Sequence, residues 1–176
     1  MRVVFLYILF LFSASLVAQD TTPDVMQNDT STVDSLNQLG YDLWIRNPSQ
    51  SVQLGEEAYR LSAALKYENG AAFAKRVSGV GHWSLGEPKK ALFDLYESLD
   101  LYETLDDLEG VSNIKLNIGM VYADIDEDSL ALKQFHEAIN GFSKLNLDDR
   151  TATAYTKLGT LQIKNGRLDK AHTNIT

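Results

Sequence analysis

The sequence predicts an all-α protein, a solenoid of stacked antiparallel helix pairs, and three observations predict it. Shifting the chain by 40 residues brings Gly79, Gly119 and Gly159 into register, and the same shift aligns Ala91, Ala131 and Ala171. Self-similarity at a fixed period of this size marks a repeat architecture. Second, Ala131, Phe135, Ala138, Ile139, Phe142 and Leu145 recur at i, i+3, i+4, i+7, as do Ala91, Leu95, Leu99 and Tyr102. That is the spacing of one buried helical face. Third, Gly86, Asp126 and Gly166 fall in one column between the two patterns. Glycine and, less easily, aspartate adopt the left-handed conformation that ends a helix.

The elements follow in chain order. Met1-Arg2 supplies a positive start, Val3 to Phe12 is an unbroken apolar run, and Ala18 precedes Gln19. Residues 1–18 therefore read as a secretory signal peptide, and the protein is expected to be exported, periplasmic or secreted. An uncleaved N-terminal anchor is the alternative, but the run falls short of the ~20 residues that span a bilayer. Residues 19–31, rich in Asp, Thr, Asn and Gln, have little to bury and read as a flexible tether. The repeats then occupy 32–176, in units of about 32–69, 70–109, 110–149 and 150–176.

In the last three units a first-helix glycine lies twelve residues before a second-helix alanine, so two backbones without bulky side chains can approach closely. Leu65, Leu105 and Leu145 form one further apolar column, and Tyr59, Leu99 and Ile139 a bulkier one. In the first unit Asn47-Pro48 predicts a helix cap with proline in the first turn, one residue being missing from the turn before it. The long period predicts an extended second helix and a loop from Thr104 to Gly110. The last second helix starts near Leu168 and is cut off at Thr176 before its apolar face is complete. Because arrays end on a polar cap, the chain is expected to be the N-terminal part of a longer protein.

Ile118-Gly119-Met120-Val121-Tyr122, followed by Ala131, Phe135 and Ala138, resembles the tetratricopeptide repeat (TPR), and Leu158-Gly159 with Ala171 resembles it again. Ser78-Gly79 with His82 and Ser98, and Leu39-Gly40 with Tyr41 to Trp44, fit more loosely. The resemblance covers about 32–176 and implies a right-handed superhelix whose first helices line a concave surface. A period of 40 in place of 34 is similar to kinesin light chains and to the exported sensor regions of bacterial signalling proteins. The second likeness implies a scaffold or sensor for a protein or peptide partner. Its alternative is the regulatory region of a membrane-anchored nucleotide cyclase or histidine kinase whose catalytic domain lies beyond residue 176.

Composition narrows the partners. A net charge of −8 argues against nucleic acid, since phosphate binding needs clustered Lys and Arg. The only membrane contact expected is through the signal segment or a part beyond the C-terminus. The absence of cysteine removes thiol nucleophiles, disulfides and cysteine metal sites. Asp124-Ile-Asp126-Glu-Asp128 has Ser129 and Phe135 where a calcium loop needs Gly and Glu, so it reads as an acidic turn whose carboxylate caps the next helix. His82, His136 and His172 occupy three different repeat positions and offer no metal pair, and His82 reads as a packed, hydrogen-bonded side chain. Gly79-Val-Gly81 lies within a predicted helix and is no phosphate loop. No catalytic, cofactor or metal residue is assigned.

The remaining candidates lie on the side of the first helices away from the second. They are Phe73, Arg76, Val80 and Trp83; Asn113, Asn117, Met120 and Asp124; and Thr156, Lys157, Thr160 and Lys164. Arg76, Asn117 and Lys157 are placed to hold a carboxylate, with Trp83 as an aromatic anchor. The set does not reproduce the lysine and asparagine clamp of chaperone-binding TPR proteins.

Overall fold

A computed structural model describes residues 29–166. The signal segment, residues 19–28 of the tether, and the last second helix with Ala171 and His172 lie outside the described residues. Among the described residues seven helices follow one another, α1 Thr30–Leu43, α2 Pro48–Leu65, α3 Glu68–Ser84, α4 Pro88–Thr104, α5 Leu108–Asp124, α6 Asp128–Lys144 and α7 Asp148–Lys164. Among the described residues there is no strand, and no helix long and apolar enough to cross a membrane.

Each helix packs on the next, and α1 with α3, α3 with α5, and α5 with α7 also touch, whereas the even-numbered helices do not touch one another. The array therefore bends toward the odd-numbered helices, which form an inner layer, and spreads the even-numbered ones apart on the outside. The core lies between the layers. Val80, Leu95, Ile114 and Ile118 fill it at one level, and Phe135, Phe142, Leu158 and Leu161 at the next.

The period of 40 arises differently from the expectation of a long second helix and a loop. From α3 onward every helix has 17 residues and every connection is the three residues 85–87, 105–107, 125–127 or 145–147. Leu108, Glu109 and Gly110 belong to α5, so the loop from Thr104 to Gly110 does not exist as such. The connections share one hydrogen-bond pattern. Tyr67, Glu87, Asp107, Glu127 and Leu147 each donate a backbone N–H to the carbonyl five residues earlier, at 2.9–3.0 Å. The residue before each of these, Lys66, Gly86, Asp106, Asp126 and Asn146, has φ between 54° and 72°. This is the left-handed helix stop that frees the chain to reverse at once. The α1–α2 turn contains no such residue; Asn47 caps α2 by accepting from the Gln50 N–H at 3.4 Å, with Pro48 as the first helical residue.

Lys66 is the least suited to that conformation. Lys66→Gly is expected to raise stability by about 0.5–1 kcal/mol. Gly86→Ala is expected to lower it by about 1 kcal/mol, for backbone reasons alone, since an added methyl meets nothing within 4 Å. Urea unfolding followed by circular dichroism checks both, and equal effects at the two positions would contradict the assignment.

Other expectations change in detail. The glycines do bring the layers together, but a methyl at Gly79 or Gly119 would first strike Leu95 or Phe135, at 2.8 and 2.7 Å. The large residue one turn beyond the alanine is what the glycine admits. Leu145 caps the end of α6 and is 37% exposed, not core. Tyr59 is 37% exposed while its column mates Leu99 and Ile139 are buried. In the acidic turn Glu127 makes no side-chain cap. Asp126 supplies the left-handed residue instead.

Candidate partner-binding groove

The inner layer presents the predicted residues from α3, α5 and α7, and the folding of those helices determines what each is free to do. Arg76 points inward from α3 but is not free. Its Nε donates to Asn117 Oδ1 at 3.1 Å and its Nη2 to Tyr41 Oη at 2.9 Å. The guanidinium also lies 4.7 Å from the centre of the Tyr41 ring. Burial pushes its pKa below the ordinary arginine range, yet an arginine stays charged there. Arg76 is thus a brace across α1, α3 and α5, and it occupies the acceptor of Asn117. Val80 and Asn113 are buried, and Asn113 donates to the Glu109 carbonyl at 3.0 Å with its own Oδ1 unpartnered.

Trp83 is fixed from two sides. Its ring stacks on Trp44 with centroids 5.5 Å apart and 17° between planes. Its Nε1 donates to Asp124 Oδ2 at 2.7 Å. Stacking and a donor bond together hold an indole in one orientation, with the remaining edge presented to the groove. Tyr41 and Trp44 lie outside the set of groove candidates that helical spacing gives. Trp44 is separated from Trp83 by 39 residues, not 40. The missing residue in the first turn had shifted it out of column.

A cleft of about 200 Å³ opens on this inner face, lined by Trp83, Met120, Asp124, Lys157, Leu161 and Lys164 among others. The two lysines differ in freedom. Lys164 donates to the Ala123 carbonyl at 2.9 Å and to Asp126 Oδ1 at 2.6 Å. The bond to Asp126 pushes its pKa above the usual lysine range. Lys157 is exposed and has no carboxylate within ion-pair distance among the described residues. Of the residues expected to hold an anion, Lys157 alone offers an uncommitted charge. Thr156 and Thr160 turn their hydroxyls back to the helix, each bonding the carbonyl four residues earlier.

The outer face carries a larger cleft of about 380 Å³ between α2 and α4, over α3, with Tyr59, Lys75, His82, Phe93 and Asp94 in its lining. Its centre is already occupied. The Lys75 ammonium sits 2.6 Å from Glu97, 3.3 Å from Asp94 and 4.4 Å from the centre of the Tyr59 ring. His82 Nδ1 donates to Glu87 Oε2, 2.7 Å away, and so is packed and hydrogen-bonded. This exposes why Tyr59 left its apolar column: it faces the cation. Among the described residues no group of three or more His, Asp or Glu side chains is arranged to hold a metal.

No protein-family model and no curated protein matches the sequence. The fold is nonetheless similar to solved structures. Aspartyl phosphate phosphatase F from Bacillus subtilis superimposes with a TM-score of 0.74 at 16% identity, over 82% of this chain and 38% of that one. A Rap protein complexed with competence and sporulation factor gives 0.77 at 16% identity, over 82% and 41%. BtubC (BKLC) from P. vanneervenii gives 0.67 at 20% identity, over 81% and 60%. This chain therefore spans less than two thirds of each of those proteins. With two layers of helices among the described residues, a recurring three-residue helix stop and these likenesses, the chain has the tetratricopeptide-type fold, an all-α solenoid of antiparallel helix pairs.

Proposed function

We propose that the chain is the protein- or peptide-binding module of an exported signalling protein, a scaffold or sensor that holds its partner along the inner layer and performs no chemistry there. One observation carries the reading. An uncovered cleft combines an anchored indole, an apolar floor and a free ammonium on the inner helices. Its size favours a segment of polypeptide over a metabolite. Small-molecule sites run to about 300–1,000 Å³, whereas about 200 Å³ takes a single side chain. The structure of a Rap protein with competence and sporulation factor lends support by showing a fold of this kind together with a bound factor. Export is supported by the apolar run Val3 to Phe12 ahead of Ala18.

The test is capture of partners from extracytoplasmic extract by the chain beginning at Gln19, compared with Trp83→Ala and Lys157→Glu. A partner retained by the wild type and lost by both variants is the expected result. Capture that survives both, or cell fractions in which the chain keeps Met1 and stays cytosolic, would remove the reading or its export half respectively. Arg76→Glu is the wrong probe, because it breaks the brace before it touches any ligand.

A further inference from the structure

We propose that the segment taken by the groove has two parts, an acidic stretch lying over α7 and an apolar stretch lying over α1 and α3. This rests on the inner groove being a peptide-binding surface and specifies what that surface selects.

The cationic end comes from α7. Arg150, Lys157 and Lys164 recur at seven-residue steps, close to two helical turns, and so share one face. The face is the inner one, because Lys157 and Lys164 line the cleft beside Trp83. Arg150 belongs to it too, being near enough to act on the charge of Arg76. Lys164 is answered by Asp126. Arg150 and Lys157 are exposed and meet no carboxylate within ion-pair distance among the described residues. In a chain of net charge −8, two unanswered cations aligned on the one concave stripe mark a place for outside anions.

The opposite end is aromatic and electrically closed. Tyr41 of α1 and Trp44 at its C-cap meet Phe73 and Trp83 of α3, with ring centroids 5.8 Å apart for Tyr41 and Phe73. The charge in their midst, Arg76, is committed to Tyr41 and Asn117. Between the two ends α5 offers amides, Met120 and, near Arg76, the exposed Glu109, and its Asp124 is committed to Trp83. A segment crossing the inner layer thus meets rings, then amides, then free cations. Helix axes stand roughly 10 Å apart, and an extended chain advances about 3.3 Å per residue, so the crossing from α1 to α7 takes about nine residues. A basic segment would be repelled at α7, and a wholly acidic one would leave the rings uncovered.

The probe is a fluorescein-labelled peptide, Leu-Phe-Leu-Gly-Ser-Glu-Glu-Glu-Glu, beside its counterpart with glutamine for each glutamate, read by fluorescence anisotropy at low and high salt. The wild type is expected to prefer the glutamate peptide at least about tenfold, and to lose the preference at high salt, since exposed pairs are screened. The double variant Arg150→Glu with Lys157→Glu is expected to abolish the preference for the glutamate peptide. Trp83→Ala is expected to weaken both peptides. Circular dichroism confirms that each variant is folded; Arg150 and Lys157 are surface positions. Equal affinity for the two peptides, or a preference that outlasts the double reversal, overturns the two-part ligand and leaves peptide binding intact. Binding of neither peptide overturns both.

Discussion

Phe135→Ala is expected to lower stability by about 3–5 kcal/mol, a large effect for a single truncation in the second core. The ring is 1% exposed and lies among Leu116, Ala138, Ile139, Leu158 and Leu161. It thus belongs to the core that joins α5, α6 and α7. The facing residue is Gly119, where even an added methyl would stand 2.7 Å from the ring. A glycine has nothing to swing into the space, so the cavity stays open and the cost falls at the upper end of the range. Phe135 also floors the inner cleft, so the variant should deepen that cleft and weaken its grip on a side chain. Urea unfolding measures the first effect and the anisotropy of the glutamine peptide the second. A loss under about 1 kcal/mol would mean that α5 and α6 collapse onto each other, and that the glycine column is not a rigid seat.

How much of this was legible in the sequence depends on whether a feature is local or tertiary. The columns of Gly119, Phe135 and Ala131 show the helix pairs because close packing restricts those positions to a few residue types. The connections were harder to see. Leu65, Leu85, Leu105, Ile125 and Leu145 recur every 20 residues, each followed by a left-handed residue. The true structural period is thus half the one that glycine and alanine display. Lys66 and Asp106 concealed it, because a backbone hydrogen bond, and not the side chain, dictates their conformation. Gly110 misled in the opposite sense. It reads as loop, yet it sits in α5 because the Tyr102 ring packs where its Cβ would be. Within the groove, the inward direction of Trp83 and Lys157 follows from helical spacing alone. The brace made by Arg76 does not, since Tyr41 and Asn117 are brought to it by stacking of separate repeats.

Gly55→Leu is expected to cost about 3 kcal/mol or more and to release the first helix pair from the rest. Gly55 of α2 stands at the repeat position held by Leu95 in α4 and Phe135 in α6, so the first repeat reverses the arrangement of the others. Instead of a large side chain seated on a glycine, the backbone of α2 itself lies against α3. A methyl at Gly55 would come 2.9 Å from the Ser78 nitrogen and 3.0 Å from the Ala74 carbonyl oxygen. Backbone atoms inside a helix cannot rotate away as a side chain can, so relief requires moving α2 as a body. Because each repeat is held only by its neighbours, the damage should stay local. The variant should melt in two steps, α1 and α2 first, with protease cutting at Lys66 before the remainder unfolds. Parting of the Trp44–Trp83 stack should shift tryptophan emission to the red in that first step. The aromatic end of the groove would go with it, while Arg150 and Lys157 on α7 remain, so the glutamate peptide should bind more weakly but keep its salt dependence. One cooperative transition with unchanged emission would show that α2 tolerates the leucine, and that the close approach at Gly55 is not what joins the first repeat to the second.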